Sequence, residues 1–173
     1  MRQHTIIEQQ GQDKWVYENA FIVPSCLEDG EILGPRLRQA DKDEIKASVG
    51  EDPRDILKKS IEISRERYTV KDLENEEPLA CFGVAPYGKD MGLVWFLGSN
   101  EIVRKNRISF LRNSEFWVQK LFKDYRILFN VVDARNKLHI RWLKWLGFEF
   151  IADIPEFGVE KRLFRQFVRC KDD

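Results

Sequence analysis

The sequence predicts a single α/β domain, a three-layer sandwich in which a mixed, mostly antiparallel central sheet is flanked by helices. Two observations predict it. Hydrophobic periodicity and turn residues give the main domain the element order β, α, α, β, β, β, α, β, α, β, β, with short turns between the early strands and a helical crossover later. The length of 173 residues, of which 43% are hydrophobic and 34% charged, suits one globular core.

The first 32 residues are predicted to form an N-terminal arm with one strand, Trp15–Val23. A turn at Glu28-Asp29-Gly30 follows it. The main domain is expected over residues 33–173, and it opens with a second strand, Leu33–Gln39. The arm carries enough apolar residues for its strand to pair with the edge of a sheet.

Two helices are predicted next. Asp41 and Glu44 have the spacing of a capping box, so a helix is expected to begin there and to end near Gly50. Asp52 followed by Pro53 is typical of a second helix start, with a side-chain cap and proline at the first helical position.

Three strands are then predicted at Arg67–Leu73, Leu79–Ala85 and Gly92–Leu97. Short polar turns separate them, which favours an antiparallel meander. The third strand is apolar on both faces, and we therefore expect it at the centre of the sheet.

The C-terminal half is predicted to alternate helices and strands. A long helix is expected over Arg104–Tyr125, then a buried strand over Ile127–Val132, then a helix over Lys137–Leu146 that Gly147 ends. The final two strands are predicted at Phe148–Ile154 and Lys161–Cys170.

Composition excludes several classes of function. The chain has 29 basic and 29 acidic side chains and no net charge, which argues against general nucleic-acid binding. Cys26, Cys81 and Cys170 are odd in number and widely spaced, so we expect buried thiols in a reducing cytoplasm. With only two histidines, no metal site is predicted. No apolar run approaches the length of a membrane span.

One segment carries a family resemblance. Asn136 is followed at offsets of three, six and eleven by His139, Trp142-Leu143 and Gly147-Phe148. This spacing, placed after a buried strand, resembles the penultimate helix and following strand of the GNAT superfamily of N-acetyltransferases. The resemblance implies the GNAT fold, with acetyl-CoA as the cofactor of its active members.

A second resemblance is narrower. The helix Asn136–Lys144 contains the pattern Asn-x-x-His-Ile-Arg-aromatic-Leu-Lys, and Trp95–Ser99 contains Trp-Phe-x-x-Ser at the end of the central strand. Both are similar to short-tailed phage proteins with this fold that are related to internal virion proteins. The likeness covers roughly residues 33–155. It implies phage virion or host proteins as partners, and a location in the virion or in the cytoplasm of an infected bacterial cell.

The cofactor loop departs from the pattern of active GNAT enzymes. Their Arg/Gln-x-x-Gly-x-Gly/Ala loop lets bare backbone N–H groups reach the pyrophosphate of acetyl-CoA. Here no glycine lies between Gly98 and Gly147, and the segment contains Glu101, whose charge would repel phosphate. Basic side chains are the alternative phosphate ligands. The candidate cofactor-binding residues are Gly98, Ser99, Arg104, Lys105 and Asn136.

The position of the proton donor also departs from the pattern of active GNAT enzymes. Many GNAT enzymes use a tyrosine of the late helix to protonate the leaving thiolate, and Leu143 stands at that position. His139 lies one turn earlier and is the candidate catalytic acid or base; the competing interpretation is a structural histidine whose ring closes the cofactor groove. Asp133 and Asn136 are interpreted as capping groups in preference to catalysts.

Two hypotheses about function follow. The first is a catalytically degenerate GNAT-fold phage protein that acts through protein contacts and needs no cofactor. The second is an active acyl-CoA-dependent N-acyltransferase with a non-standard cofactor loop. Trp142 and Trp145 bear on the choice, because either one, if exposed, would favour a protein contact over core packing.

Overall fold

A computed structural model describes residues 5–9, 12–105 and 107–172. Its strands are β1 (Thr5–Gln9), β2 (Gln12–Val16), β3 (Ala20–Pro24), β4 (Glu66–Asp72), β5 (Pro78–Pro86), β6 (Met91–Gly98), β7 (Ile127–Asp133), β8 (Glu149–Phe157) and β9 (Arg162–Cys170). Its α-helices are α1 (Leu27–Leu33), α2 (Gln39–Ser48), α3 (Pro53–Ile63), α4 (Asn100–Lys105), α5 (Arg107–Leu121) and α6 (Lys137–Trp145).

The strands form one nine-stranded sheet in the order β1-β2-β3-β4-β5-β6-β7-β9-β8. β6 and β7 run parallel, because α4 and α5 carry the chain back across the sheet between them. The other neighbouring strands pair antiparallel. The predicted fold class and the predicted meander are therefore confirmed, and β6 occupies the interior of the sheet as expected.

The sheet buries a different set of helices on each face. Side chains of β5 alternate, so Phe82 and Val84 join a core with residues of α5 and α6. Cys81 points to the opposite core, which residues of α1, α2 and α3 complete. Its thiol is buried as predicted, whereas Cys26 and Cys170 are exposed, so that prediction is wrong for them. This alternation gives the three layers that the sequence predicts. Among the described residues, no helix is both long and apolar enough to cross a membrane.

Local sequence signals correctly predicted the start of α3 and the end of α6. Asp52 accepts a hydrogen bond from the backbone N–H of Arg54 at 2.8 Å, which is the predicted cap of α3. Gly147 has a φ of +77° directly after the last turn of α6, in the left-handed region where glycine has no steric penalty. Both signals act within a few residues, so the rest of the fold does not override them.

The single strand predicted over Trp15–Val23 is wrong. The chain turns back within it, and the backbone N–H of Tyr17 donates to the carbonyl oxygen of Ala20 at 2.8 Å. β2 and β3 therefore form a hairpin, and β3 pairs with β4. Glu18-Asn19 at the turn was the available signal. The predicted boundary between residues 32 and 33 falls inside α1, and that division stays a prediction.

The strand predicted over Leu33–Gln39, and the turn before it, are also wrong. Most of this stretch lies in helical structure, in α1, a 3-10 turn over Gly34–Arg36 and the start of α2. Leu37, between that turn and α2, forms an isolated β-bridge with Ser99. The reason is tertiary packing. A β-carbon on Gly34 would lie 2.4 Å from Cγ of Arg54 and 2.6 Å from its Cα, so this turn packs directly on the backbone of α3.

The crossover helix begins earlier than predicted. Helical structure starts at Asn100, directly after Ser99, and α5 ends at Leu121. Ile102 is buried in the core beside α5, so its side chain contributes to helix packing. The last hairpin also turns later than predicted, at residues 158–161.

That last turn fixes the C-terminal end of α2. The backbone N–H groups of Val159 and Glu160 donate to the carbonyl oxygens of Ser48 and Ala47, at 3.2 and 3.1 Å. Gly158 has a φ of +70°, and a β-carbon there would lie 2.3 Å from the carbonyl oxygen of Ala47.

Gly158→Ala should therefore lower the free energy of unfolding by about 2–4 kcal/mol, from left-handed strain together with a backbone clash. Gly88→Ala is the matched control, because its φ is +62° with no atom within 4 Å of the added carbon. The control should lose about 1 kcal/mol. Urea unfolding measures both, and equal losses would contradict the close contact between this turn and α2.

Candidate functional site

The site lies where β6 and β7 separate. These parallel strands pair through Met91, Gly92 and Leu93 of β6 and then diverge. Asn130 sits at the divergence, and its Nδ2 donates to the carbonyl oxygen of Val94 at 2.8 Å. A side chain thus replaces the backbone bond that the ladder loses, and a gap opens in the sheet beyond it.

The gap contains a cavity of about 300 Å³. Phe96 and Trp142 line it from the side of α5 and α6, whereas Trp95 and Ile56 line it from the side of α2 and α3. The cavity therefore passes between the two diverging strands from one face of the sheet to the other. Its walls are mainly aromatic and aliphatic, with His139 and Glu44 among the few polar members.

Asp41 of α2 ties the end of β6. Its carboxylate is buried and accepts from the Arg38 guanidinium at 2.6 and 3.2 Å. It also accepts from the backbone N–H of Gly98 at 3.1 Å and from Nδ2 of Asn136 at 3.3 Å. Arg38 in turn donates its backbone N–H to the carbonyl oxygen of Gly98 at 2.9 Å. The start of α2 thus hydrogen-bonds to both the N–H and the carbonyl group of Gly98, at the end of β6.

Glu44, one turn along α2, ties the end of β7. Its Oε2 accepts from the backbone N–H of Asp133 at 3.0 Å and from Nδ2 of Asn136 at 3.3 Å. Burial raises the pKa of Glu44 to about 8, and the negative charge of Asp41 adds to the rise. Glu44 is therefore mainly protonated at neutral pH, so the two neighbouring carboxyl groups carry one charge.

These contacts correct the predicted capping box. α2 begins at Gln39, and its N-cap, Arg38, makes no side-chain capping bond. Asp41 and Glu44 do share one face of the helix, as three-residue spacing requires, but they face the ends of β6 and β7. Sequence reasoning therefore found both residues and missed their role, and it missed Arg38 entirely.

Asn136 does not cap α6 with its side chain. It donates to the two carboxyl groups of α2 instead, and its Oδ1 is buried with no hydrogen-bond partner among the described residues. Asp133 accepts from the backbone N–H of Arg135 at 2.8 Å, so it stabilises the turn before α6. Both residues contribute to closing the gap.

His139 is buried on α6 and lines the cavity. Its ring meets those of Phe96 and Trp142, with centroids 6.3 and 5.8 Å apart. Burial lowers the pKa of His139 to about 4, Arg38 acts in the same direction, and Asp41 acts against it. The ring is therefore neutral at pH 7, and its Nδ1 has no partner in the described part of the chain. Leu143, at the position of the usual tyrosine, is also buried on the cavity wall.

The predicted cofactor residues are only partly brought together. Gly98 and Asn136 share the Asp41 carboxylate. Ser99 donates its backbone N–H to the carbonyl oxygen of Leu79 at 2.8 Å, and its hydroxyl is buried without a described partner. Arg104 is exposed on α4. Lys105 ends α4, and its side chain lies outside the described part of the structure. Their assignment to a cofactor stays a prediction.

Asp41→Ala should destabilise the protein by about 3–5 kcal/mol, because it leaves the buried Arg38 guanidinium without a counter-charge. Asp43→Ala is the control, since Asp43 makes an exposed bond to Gln39 and should change stability by less than about 1 kcal/mol. Urea unfolding followed by circular dichroism measures both. Similar small losses would show that the tie to β6 contributes little.

Stability should also fall as pH rises through the titration of Glu44. Its pKa is about 8 when folded and 4.5 as a reference, so the folded state binds the extra proton between these values. Between pH 5 and 8.5, the free energy of unfolding of the wild-type protein is therefore expected to fall by roughly 2–4 kcal/mol more than that of Glu44→Gln.

Exposed Glu62→Gln is the control for that comparison and should follow the wild-type curve. Titration of His139 acts in the opposite sense, because it raises the free energy of unfolding as pH increases from 4 to 6.5. This contribution is the same in all three proteins, so it cancels when their curves are subtracted. Parallel curves for wild type and Glu44→Gln across the whole range would refute the enclosed, protonated carboxyl.

Part of the sequence matches the model of a known protein family. Residues 79–154, from β5 to β8, match a family model described as "Bacteriophage T7, probable scaffold protein Gp13". No curated protein sequence matches the chain.

Solved structures match most of the chain at low sequence identity. A GNAT-family acetyltransferase from Bacillus anthracis is 13% identical with a TM-score of 0.64, over 91% of this chain and 98% of that one. Ard1 from Thermoplasma volcanium is 13% identical with a TM-score of 0.67, over 90% and 100%. A GCN5-related N-acetyltransferase from Kribbella flavida is 13% identical with a TM-score of 0.63, over 88% and 98%. The chain has the GNAT fold, and its central part resembles a phage T7 protein family.

Proposed function

We propose that this protein is a catalytically degenerate GNAT-fold protein that acts through contacts with other proteins, in a phage virion or in the infected bacterial cell. Function depends on the site and not on the fold, so the resemblance to acetyltransferases does not by itself assign their reaction. Three features of the chain support the proposal.

The main support is the use of backbone donors at the gap. In the active GNAT enzymes that the sequence resembles, backbone N–H groups after the central strand bind the pyrophosphate of the cofactor. Here the N–H groups of Gly98 and Ser99 already donate to Asp41 and Leu79, and the N–H group of Asp133 donates to Glu44. A cofactor would have to displace a buried charge-assisted hydrogen bond to reach the N–H group of Gly98, and a buried hydrogen bond to a protonated carboxyl to reach that of Asp133.

The second support is that neither α6 position expected to hold the proton donor carries a suited group. Leu143 has no ionisable group, and His139 holds no proton to donate as an imidazolium above a pH of about 4. Glu101 adds a carboxylate to the first turn of α4, paired with Arg36 at 3.2 Å, at the helix end where a phosphate would otherwise be favoured.

The third support concerns contacts. The family model that matches residues 79–154 is described as a "probable scaffold protein" of a phage, and a scaffold acts through contacts with other proteins. Trp145 is 60% exposed whereas Trp142 packs on the core, which is the arrangement that favours a protein contact.

One observation favours the alternative, an active acyl-CoA-dependent N-acyltransferase. The cavity of about 300 Å³ reaches His139, and a neutral imidazole there could accept a proton from an amine. Arg104 and Lys105 would then bind the phosphates of acetyl-CoA in place of the glycine loop.

Thermal unfolding with acetyl-CoA separates the two proposals. A ligand that binds only the folded state raises Tm by mass action, by several degrees at about 100 times its Kd. We expect no rise in Tm at 1 mM acetyl-CoA, with an active GNAT acetyltransferase measured in parallel as the positive control.

A saturable rise of more than about 2 °C in wild type would contradict catalytic degeneracy. Arg104→Glu then identifies the site, because loss of the rise in that variant would place the phosphates beside α4. Release of free thiol from acetyl-CoA with a mixture of amines would decide for the enzyme directly.

A further inference from the structure

The outward face of α6 carries three cations and one tryptophan. Lys137, Arg141, Lys144 and Trp145 are all exposed, and Trp145 retains 60% of its accessible surface. Arg141 lies four residues after Lys137, and Lys144 and Trp145 lie three and four residues after Arg141. These spacings place the four residues on one side of the helix, over about 12 Å of its length. We call these four residues the α6 basic stripe.

The stripe has no carboxylate partner within the described residues. None of the nine residues of α6 is acidic, and Lys144 makes only a cation–π contact with Phe150, 5.8 Å from its ring centroid. Neighbouring arginines differ in this respect. Arg135, Arg165 and Arg169 pair with Asp133, Asp153 and Glu115 at 2.7, 2.9 and 2.7 Å.

The fold does not need the stripe. The inward face of α6, with Ile140 and Leu143, supplies its packing. Lys137 occupies the first helical position, where the helix dipole disfavours a positive charge, and only Lys144 lies at the favourable end. An exposed tryptophan likewise adds apolar surface in water without stabilising the folded chain.

We propose that the α6 basic stripe docks an acidic segment of a partner protein, with an apolar side chain of that segment covering Trp145. Carboxylates spaced over about 10 Å, such as two turns of a helix, match the three cations. The proposal rests on the proposed role in protein contacts and names the chemistry of the partner.

Two other classes of partner fit less well. Nucleic-acid binding draws on counterion release at roughly six to ten phosphates, more than three cations can contact in a chain of zero net charge. Helices that lie on a membrane bury a wide apolar face, and here only Trp145 is apolar on the outward side.

Fluorescence anisotropy with the full chain and a labelled acidic probe tests this. The probe is a helical peptide with glutamates on one face at spacings of four and three residues, followed by one leucine. Arg141→Glu/Lys144→Glu should weaken binding by at least about tenfold through charge reversal. Lys59→Glu/Lys89→Glu makes the same change in net charge at two exposed lysines on α3 and on the β5–β6 turn, and should stay within about twofold of wild type.

Trp145→Ala tests the apolar part. It should weaken binding of the leucine peptide by about fivefold or more and leave a leucine-to-serine peptide unchanged. Circular dichroism confirms that each variant is folded. The surface variants leave the cavity intact, so binding of acetyl-CoA would overturn the proposed function without altering these results.

Three outcomes would overturn the docking proposal: no binding at millimolar peptide, equal weakening by the Lys59/Lys89 control, or tighter stripe-dependent binding of a short DNA duplex or of phosphatidylglycerol vesicles. The last result would assign the surface to phosphate groups in place of protein carboxylates.

Discussion

The buried carboxylate of Asp41 is the contact on which the arrangement of the site depends. β6 and β7 diverge, so the backbone groups at their ends lose the partners that a continuous ladder would give them. Asp41 supplies one for Gly98, and Glu44 supplies one for Asp133 from the next turn of the same helix. Asn136 donates to both carboxyl groups. The position of α2 and the closure of the gap therefore have one cause.

In the proposed function, this closure separates the fold from the chemistry that usually accompanies it. The sheet still opens between its parallel strands and still encloses a cavity of about 300 Å³, as a site for a thioester would require. The polar groups around that cavity, however, are neutralised within the chain: one carboxyl is protonated, one is paired with Arg38, and the imidazole of His139 is uncharged. An apolar pocket whose charged neighbours are neutralised in this way is poorly suited to binding the phosphates of a cofactor.

The sequence predicted well the elements that local chemistry determines. The meander from β4 to β6 and the helix before Gly147 follow from turn residues and hydrophobic period, which act over a few positions. Gly34 and the residues around it could not be predicted, because their helical structure depends on α3. Asp41 and Glu44 satisfied a capping pattern, and nothing local indicates that their partners lie up to 95 residues away. Likewise, spacing alone does not say which of Trp142 and Trp145 is exposed.

The most direct test of the closed gap is a titration of ¹⁵N-labelled protein with acetyl-CoA, followed through the amide resonances of Gly98, Ser99 and Asp133. If α2 occupies these donors, their exchange with solvent is slow and their resonances stay in place up to millimolar acetyl-CoA. Saturable shifts of these three amides, with loss of the hydrogen bonds to Asp41 and Glu44, would contradict the account and restore an open cofactor site.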